Sequence, residues 1–383
     1  MASLPGINDV SQPLVSAGGD DELHRLVIKQ GSEWKVEVSS DSRLNVKVKS
    51  GIAEIFGTEL ATGTEYTFKN YQFSIFAVED VELEWRCPQL DSESLSITAN
   101  TTAKYIYNLH FALEKMRSSS FEGPRVLVIG DKNCGRTTLC RILCSYAIKN
   151  KSYQPMYVNL DPQQAVFSPP GCLTATPISD ILDVECSTWG QSMTSGATPL
   201  HSKQPLVKNF GLERIAQNKE LYLDVVEQLA QGTNDRILND SLVRRSGALI
   251  DIPPLSELDE DFNDLEFFAK KCKANVVVML GITDNSTAEK IANKLSPLTG
   301  SHIVSLPELS GCLQAEDTYS RSLQRIAIRE YFYGTPKTVL SPYAIGVDFG
   351  DIMVYRPRNL LEDTEDQTNE FVPVTVTANN LQH

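Results

Sequence analysis

Between residues 21 and 98 apolar positions alternate with polar ones. Leu26 and Ile28, then Trp34, Val36 and Val38, then Leu44, Val46 and Val48 fall on every second residue. Tyr66 and Phe68, and then Phe73, Ile75 and Ala77, continue the pattern. Side chains of a strand point alternately to its two faces, so each set predicts a strand with one covered face. Gln30-Gly31-Ser32, Ser39-Ser40-Asp41 and Thr62-Gly63-Thr64 supply turns between them. The stretch predicts a small all-β domain, a sandwich or a barrel. Residues 1–20 are rich in Gly, Ser, Asp and Pro without periodicity and are expected to be disordered.

The period changes at residue 99. Tyr105, Leu109, Leu113 and Met116 recur near helical spacing, so 99–124 reads as a linker helix stopped by Phe121-Glu122-Gly123-Pro124. From 125 to 334 short apolar runs alternate with helical patterns. The runs at 125–129, 156–161, 248–252, 276–280 and 303–306 predict strands, and 211–231, 257–272, 286–295 and 317–330 predict helices. Strands alternating with helices predict an α/β fold with a doubly wound parallel sheet. Residues 335–383 turn β-like again, with strand patterns at 343–347, 352–355 and 372–376 around an acidic loop at 361–370. This last piece is too short to bury a core alone, so the chain is expected to stop within a β-rich third domain.

The formal net charge of −14 argues against a broad basic surface for nucleic acid. No run approaches the ~20 apolar residues that span a bilayer, so no membrane is expected. The start, MASLPGINDV, lacks the basic and apolar regions of a signal peptide. Eight cysteines form no C-x-x-C pair and have no histidine cluster beside them, which argues for reduced thiols over zinc.

The chemistry centres on RVLVIGDKNCGRTTLCRILCSYAIK, from Arg125 to Lys149: apolar strand, glycine loop, amphipathic helix. Gly130, four residues, Gly135, Arg136 and Thr137 follow the phosphate-loop pattern G-x-x-x-x-G-K-[ST] except that arginine replaces lysine. In such a loop backbone N–H groups surround phosphates, the lysine meets the β/γ oxygens and the hydroxyl ligates Mg²⁺. An arginine is a longer planar fork that does not fit the same slot. Losing that close charged contact costs about 1.5–3 kcal/mol. The bland alternative is a glycine turn that only joins strand to helix.

Asp161, ending MYVNLD, is placed to hold the metal's water or accept a proton, with Gln163 and Gln164 adding polar contacts; otherwise it caps a turn. Asp251 is the alternative metal-side carboxylate. The segment at 194–199 reads as a substrate loop or a plain surface loop. Arg321, Arg325 and Arg329 share one helical face, as a phosphate lid or a solvated stripe. Cys134, Cys140 and Cys144 read as packing.

MASLPGI, GIAEIFGTEL, YIYNLHF, FEGPRVLVIG, YVNLDPQQ, PGCLTATPISDIL, WGQSMTSGATPL, KNFGLERI, RSLQRIAIREYFYG and SPYAIGVD, in that order, cover nearly the whole chain. Together they resemble the Clp subunit of the eukaryotic pre-mRNA cleavage and polyadenylation machinery, above all its yeast-type branch. That family is related to RNA 5′-hydroxyl kinases. The resemblance implies a central P-loop domain between an N-terminal β domain and a C-terminal β-rich domain. It implies a nuclear subunit of cleavage factor IA, docked on the scaffold subunit that reads the polymerase II tail. Other 3′-end processing factors would be partners, and pre-mRNA would be met through the complex.

The resemblance further implies ATP, with Mg²⁺ at Thr137 and Asp161, held without kinase turnover. The phosphates would lie on Gly130, Asn133, Cys134, Gly135, Arg136, Thr137 and Thr138, and the adenine side against Glu33 and Gln72. Four departures stand out: Arg136 for lysine, Gln72 for an expected lysine, Asp251-Ile252-Pro253 without the related threonine, and the early end of the third domain. The first three weaken ATP handling and point away from catalysis. The alternative is an active ATP-dependent RNA 5′-hydroxyl kinase, with Asp161 as base and the three arginines as lid.

Overall fold

A computed structural model describes residues 22–88, 90, 95–151, 153–189, 205–299, 302–335, 339–357 and 371–374. The expectations for 1–20, for the loop at 194–199 and for the acidic loop at 361–370 lie outside these residues. The alternating stretch forms β1 (His24–Ile28), β2 (Glu33–Val38), β3 (Leu44–Ser50), β4 (Ala53–Ile55), β5 (Thr58–Glu59), β6 (Glu65–Phe68), β7 (Tyr71–Ala77), β8 (Val81–Arg86) and β9 (Ser96–Thr98). They build two antiparallel sheets, in the orders β1-β8-β3-β6 and β5-β4-β7-β2-β9. Trp34 of one sheet and Trp85 of the other meet in the shared core, ring centroids 5.7 Å apart. The strict alternation of β7, every second residue buried, is what one covered face demands.

The linker helix α1 (Ala103–Ser119) buries Ile106, Leu109 and Leu113 and leads to β10 (Arg125–Gly130). The chain continues through α2 (Arg136–Lys151), β11 (Met156–Asn159), β12 (Cys172–Pro177), β13 (Leu206–Asn209), α3 (Lys219–Asn239), α4 (Ser241–Ser246) and β14 (Ala248–Asp251). Next come α5 (Asn263–Cys272), β15 (Val276–Leu280), α6 (Asn285–Thr299), β16 (His302–Leu306) and α7 (Asp317–Tyr333). One sheet results, ordered β13-β12-β11-β14-β10-β15-β16. Its strands β11, β14, β10, β15 and β16 are parallel. From β10 the chain winds first to one side and then to the other, so the switch point lies at the carboxyl end of β10, where open α/β sheets bind ligands.

Some element readings shift. Strands β12 and β13 were not foreseen; β12 pairs antiparallel with β11 and β13 antiparallel with β12, and together they complete one edge. β12 is buried almost throughout, so it lacks alternation, and two of its six residues are Thr and its last is Pro. The helix expected at 211–231 starts at Lys219, because the Asn218 side chain accepts the Leu221 N–H at 3.0 Å and caps it there. The pattern at 343–347 is not a strand; Tyr343, Ile345 and Val347 are exposed. Further on, β17 (Val354–Pro357) pairs antiparallel with β18 (Phe371–Val374).

Candidate nucleotide site

All six residues of β10 are buried, which fixes where its glycine loop starts. A Cβ on Gly130 would lie 2.5 Å from the Cys134 sulfur and 2.7 Å from the Leu280 carbonyl oxygen. Asn133 and Gly135 take positive φ, 64° and 97°, which folds the loop back over the first turn of α2. The free N–H groups of that turn face a cavity of about 240 Å³. Its floor is Asn133, Gly135, Thr137 and Thr138. Its far wall is Tyr71, Gln72 and Ser74 of the β-sandwich, with Gly311, Tyr319 and Leu323 on the α7 side. A smaller cavity adjoins it, lined by Glu33, Ser74, Thr138 and Gly311. Loop, sandwich and α7 thus converge on one cleft.

Arg136 does not point into that cleft as an open fork. Its side chain is 6% exposed and its Nη1 donates to the Ile252 carbonyl at 2.7 Å and to that of Gly130 at 3.3 Å. Its Nη2 stands 3.7 Å from Asp161 Oδ2. The guanidinium therefore satisfies acceptors of the protein itself. Asp161 also accepts the Gln163 N–H at 3.0 Å.

Thr137 and Asp161 do not meet. The Thr137 hydroxyl donates to Asp251 Oδ2 at 2.6 Å, and the Tyr157 hydroxyl donates to the same oxygen at 3.0 Å. Thr137 is thus bonded to Asp251, the alternative carboxylate, and not to Asp161. Strand pairing explains it: β14 lies next to β10 and ends opposite the loop, whereas β11 lies one strand further out.

The Gln72 side-chain amide is turned away, donating to Glu37 at 2.8 Å, while its backbone N–H donates to the Tyr319 hydroxyl at 2.9 Å. Burial raises the Glu33 carboxyl, and nearby Ser310 and Ser74 only partly offset this. Of the lid candidates, Arg325 and Arg329 are exposed and do not line the cavity, and Arg321 borders a neighbouring cleft. The helix is rotated so that Tyr319 and Leu323 face the site and the arginine stripe faces water.

Two residues at this site were not singled out beforehand. Arg141, one turn after Thr137, is 2% exposed and lines the cavity. It bonds the Tyr71 hydroxyl and lies 4.3 Å from the Phe56 ring centroid, joining α2 to the sandwich. A cation on the apolar face of a helix was its only signal. Gly311 approaches closely: a Cβ there would lie 2.3 Å from Ser74 Oγ and 2.8 Å from Glu33 Oε2.

Burial lifts the Asp161 carboxyl from the usual 3.8 to about 7, because desolvation outweighs the guanidinium beside it and the Asp251 carboxylate adds repulsion. The folded chain thus keeps a proton that the unfolded chain releases. That contribution to stability is full below pH 3.8 and is lost as pH rises toward 7. Asp161→Asn removes it. The variant's stability relative to wild type should therefore climb through that window, read from urea midpoints at each pH. A difference that stays flat would refute the assignment.

Two family models match. One, described as mRNA cleavage and polyadenylation factor CLP1 P-loop, covers residues 130–334; the other, the N-terminal beta-sandwich domain of polyadenylation factor, covers 27–120. The mRNA cleavage and polyadenylation factor CLP1 of Vanderwaltozyma polyspora is 54% identical over 389 residues, covering 100% of this chain and 86% of that protein. The protein so named from Saccharomyces cerevisiae is 52% identical over 386 residues, with the same coverage. A solved complex of wild-type Clp1p with Pcf11p (454–563) superposes with a TM-score of 0.88 at 52% identity, over 94% of this chain and 84% of that one. A second solved structure, with equal TM-score and identity over 94% of this chain and 85% of that one, concerns the extended Pcf11p–Clp1p interface and ATP loss in a Gly135Arg point mutant.

Proposed function

The chain belongs to the family of mRNA cleavage and polyadenylation factor CLP1, and from that premise we propose that it is a nuclear subunit of the machinery that cleaves and polyadenylates pre-mRNA. In this reading it docks on a scaffold partner, as its solved relative does with Pcf11p. Its cleft holds ATP as a structural ligand rather than as a phosphate donor.

One observation carries the non-catalytic half. The charge at the lysine position is spent on Gly130, Ile252 and Asp161, and no arginine of α7 reaches the cleft from the expected stripe. Phosphoryl transfer depends on cations placed around the moving group, and here the cation at the lysine position is turned onto the protein itself.

The residues nevertheless fit a bound nucleotide. Asp251 Oδ1 and Glu33 Oε1 are buried without hydrogen-bond partners, one at the phosphate end and one at the far end. A Cβ at Gly135 would meet Cys312 and Leu309, and one at Gly311 would meet Ser74 and Glu33, so both glycines let the walls of the cleft approach closely. The loop amides would hold the phosphates, Glu33 and Ser74 would orient the base, and Thr137 with Asp251 would hold Mg²⁺. The ion supplies charge neutralisation of the triphosphate.

The full-length protein from its native source should release ATP on denaturation, identified by mass spectrometry. It should transfer no labelled γ-phosphate to a 5′-hydroxyl oligoribonucleotide. Clear transfer would restore the kinase reading, and protein that carries no nucleotide would sink the structural-ligand reading.

A further inference from the structure

We propose that Lys132, rather than Arg136, supplies the cation that meets the nucleotide's phosphates, and that the Asp317 carboxylate holds it in reserve when they are absent. The inference rests on the nucleotide reading above and adds which residue takes over from the missing lysine.

Lys132 lies inside the glycine loop, two residues past Gly130. It lines the main cavity and also the next cleft, of about 350 Å³, bordered by Arg214, Glu257 and Arg321. Its ammonium bonds Asp317 Oδ1 at 2.6 Å, at the first residue of α7. The two side chains are 50% and 83% exposed. The ammonium pairs with Asp317 and not with the adjacent Asp131, whose Oδ1 accepts the Ser256 hydroxyl at 2.7 Å and the Lys132 N–H at 2.8 Å.

The two cations differ in what it takes to move them. An exposed ion pair is screened by water and is weak, so the lysine can leave Asp317 at little cost. Arg136 is buried and shares its protons among two carbonyls and a carboxylate. Withdrawing it would strand those acceptors, and breaking a buried pair is far more costly than breaking an exposed one. Lysine is also a compact charge with three donors on a long flexible stem, suited to phosphate oxygens. It approaches from the loop side, where the N–H groups of α2 already favour an anion.

One consequence concerns α7. When the ammonium passes from Asp317 to a phosphate, the first residue of the helix loses its ion pair to the loop, while Asn133 still bonds Gln314 and Ala315 just ahead of it. The same helix carries Tyr319, whose hydroxyl accepts the Gln72 N–H of the sandwich. Occupancy by a phosphate-bearing ligand is thereby coupled to the first turn of α7, and occupancy by a bare nucleoside is not.

Calorimetric titration of the nucleotide-stripped full chain with ATP and with adenosine tests this. Lys132→Ala should weaken ATP binding roughly tenfold to hundredfold, the loss of a charged hydrogen bond, and leave adenosine unchanged. Lys132→Arg should retain most of the ATP affinity, and Asp317→Asn should tighten ATP by removing the competing acceptor. Lys132→Ala binding ATP like wild type overturns the proposal. So does an equal loss for both ligands, which would mark a merely structural role. Wild type that binds neither ATP nor adenosine removes the nucleotide reading itself, and this inference with it.

Discussion

Arg117→Ala is expected to destabilise the protein by about 3–5 kcal/mol, among the largest effects of any single substitution here. Arg117 is 1% exposed, near the end of α1. Its Nη1 donates to Glu114 Oε1 at 2.6 Å and its Nε to the Ser246 carbonyl at 2.8 Å. The other Glu114 oxygen accepts from Asn150 of α2 at 3.1 Å. One guanidinium therefore ties the linker helix to the end of α4, and its carboxylate partner ties it to α2. Removing it leaves Glu114, 6% exposed, as an uncompensated charge. The penalty comes from that stranded charge more than from the lost attraction. Arg117→Met combined with Glu114→Leu should recover most of the loss, because two apolar groups of similar volume need no partner. Urea unfolding followed by circular dichroism reads both. If the single variant loses under about 1 kcal/mol, in the range of an exposed pair, the network is not what holds α1.

Gly135→Ala is expected to abolish tight nucleotide binding, with a loss on the order of a hundredfold or more. Two penalties combine. At φ 97° the backbone is closed to ordinary L-residues, at about 1–2 kcal/mol. The new methyl would lie 2.6 Å from the Cys312 sulfur and 2.9 Å from Leu309 Cδ1 and Cγ. Overpacking of this kind costs about 1–3 kcal/mol, and every 1.4 kcal/mol is tenfold in affinity. The loop relieves both by moving, and its N–H groups leave the phosphates. Adding Cys312→Ala should restore only part of the affinity, since the sulfur is removed but the dihedral penalty stays. Full binding by Gly135→Ala in the same calorimetric titration would mean that the loop tolerates a side chain there.

Much of this site is legible before any fold is known. Gly130, Gly135, Arg136 and Thr137 announce a phosphate loop by spacing, because strand, loop and helix are contiguous in sequence and their geometry is local. The alternation from Trp34 to Ala77 announces covered β faces for the same reason. Asp161 and Asp251 are both recognisable as carboxylates at strand ends. Which of them sits with Thr137 is not, because that depends on β14 lying beside β10 and β11 beyond it. Strand order is a long-range outcome of how crossovers pack, and no local pattern encodes it.

The arginine stripe of α7 marks the same boundary. Spacing places Arg321, Arg325 and Arg329 on one face, and that holds for any helix. Which face turns inward is set by Ala327, Tyr319 and Leu323 finding cover against the rest of the molecule. The end of the cleft away from the phosphate loop is assembled from Glu33, Ser74 and Gly311, which are far apart in the chain.

Local periodicity thus establishes the phosphate loop, the β-rich start and the missing lysine, because each depends on neighbours in sequence. Tertiary packing alone decides that Arg136 folds under the loop onto Asp161 and Ile252, that Asp251 partners Thr137, and that Lys132 stands free enough to be handed from a carboxylate to a ligand. Those outcomes depend on burial and on partners more than a hundred residues away for Ile252, Asp251 and Asp317. Burial makes one cation immovable and exposure leaves the other cheap to move, a difference that two basic residues in one loop do not disclose.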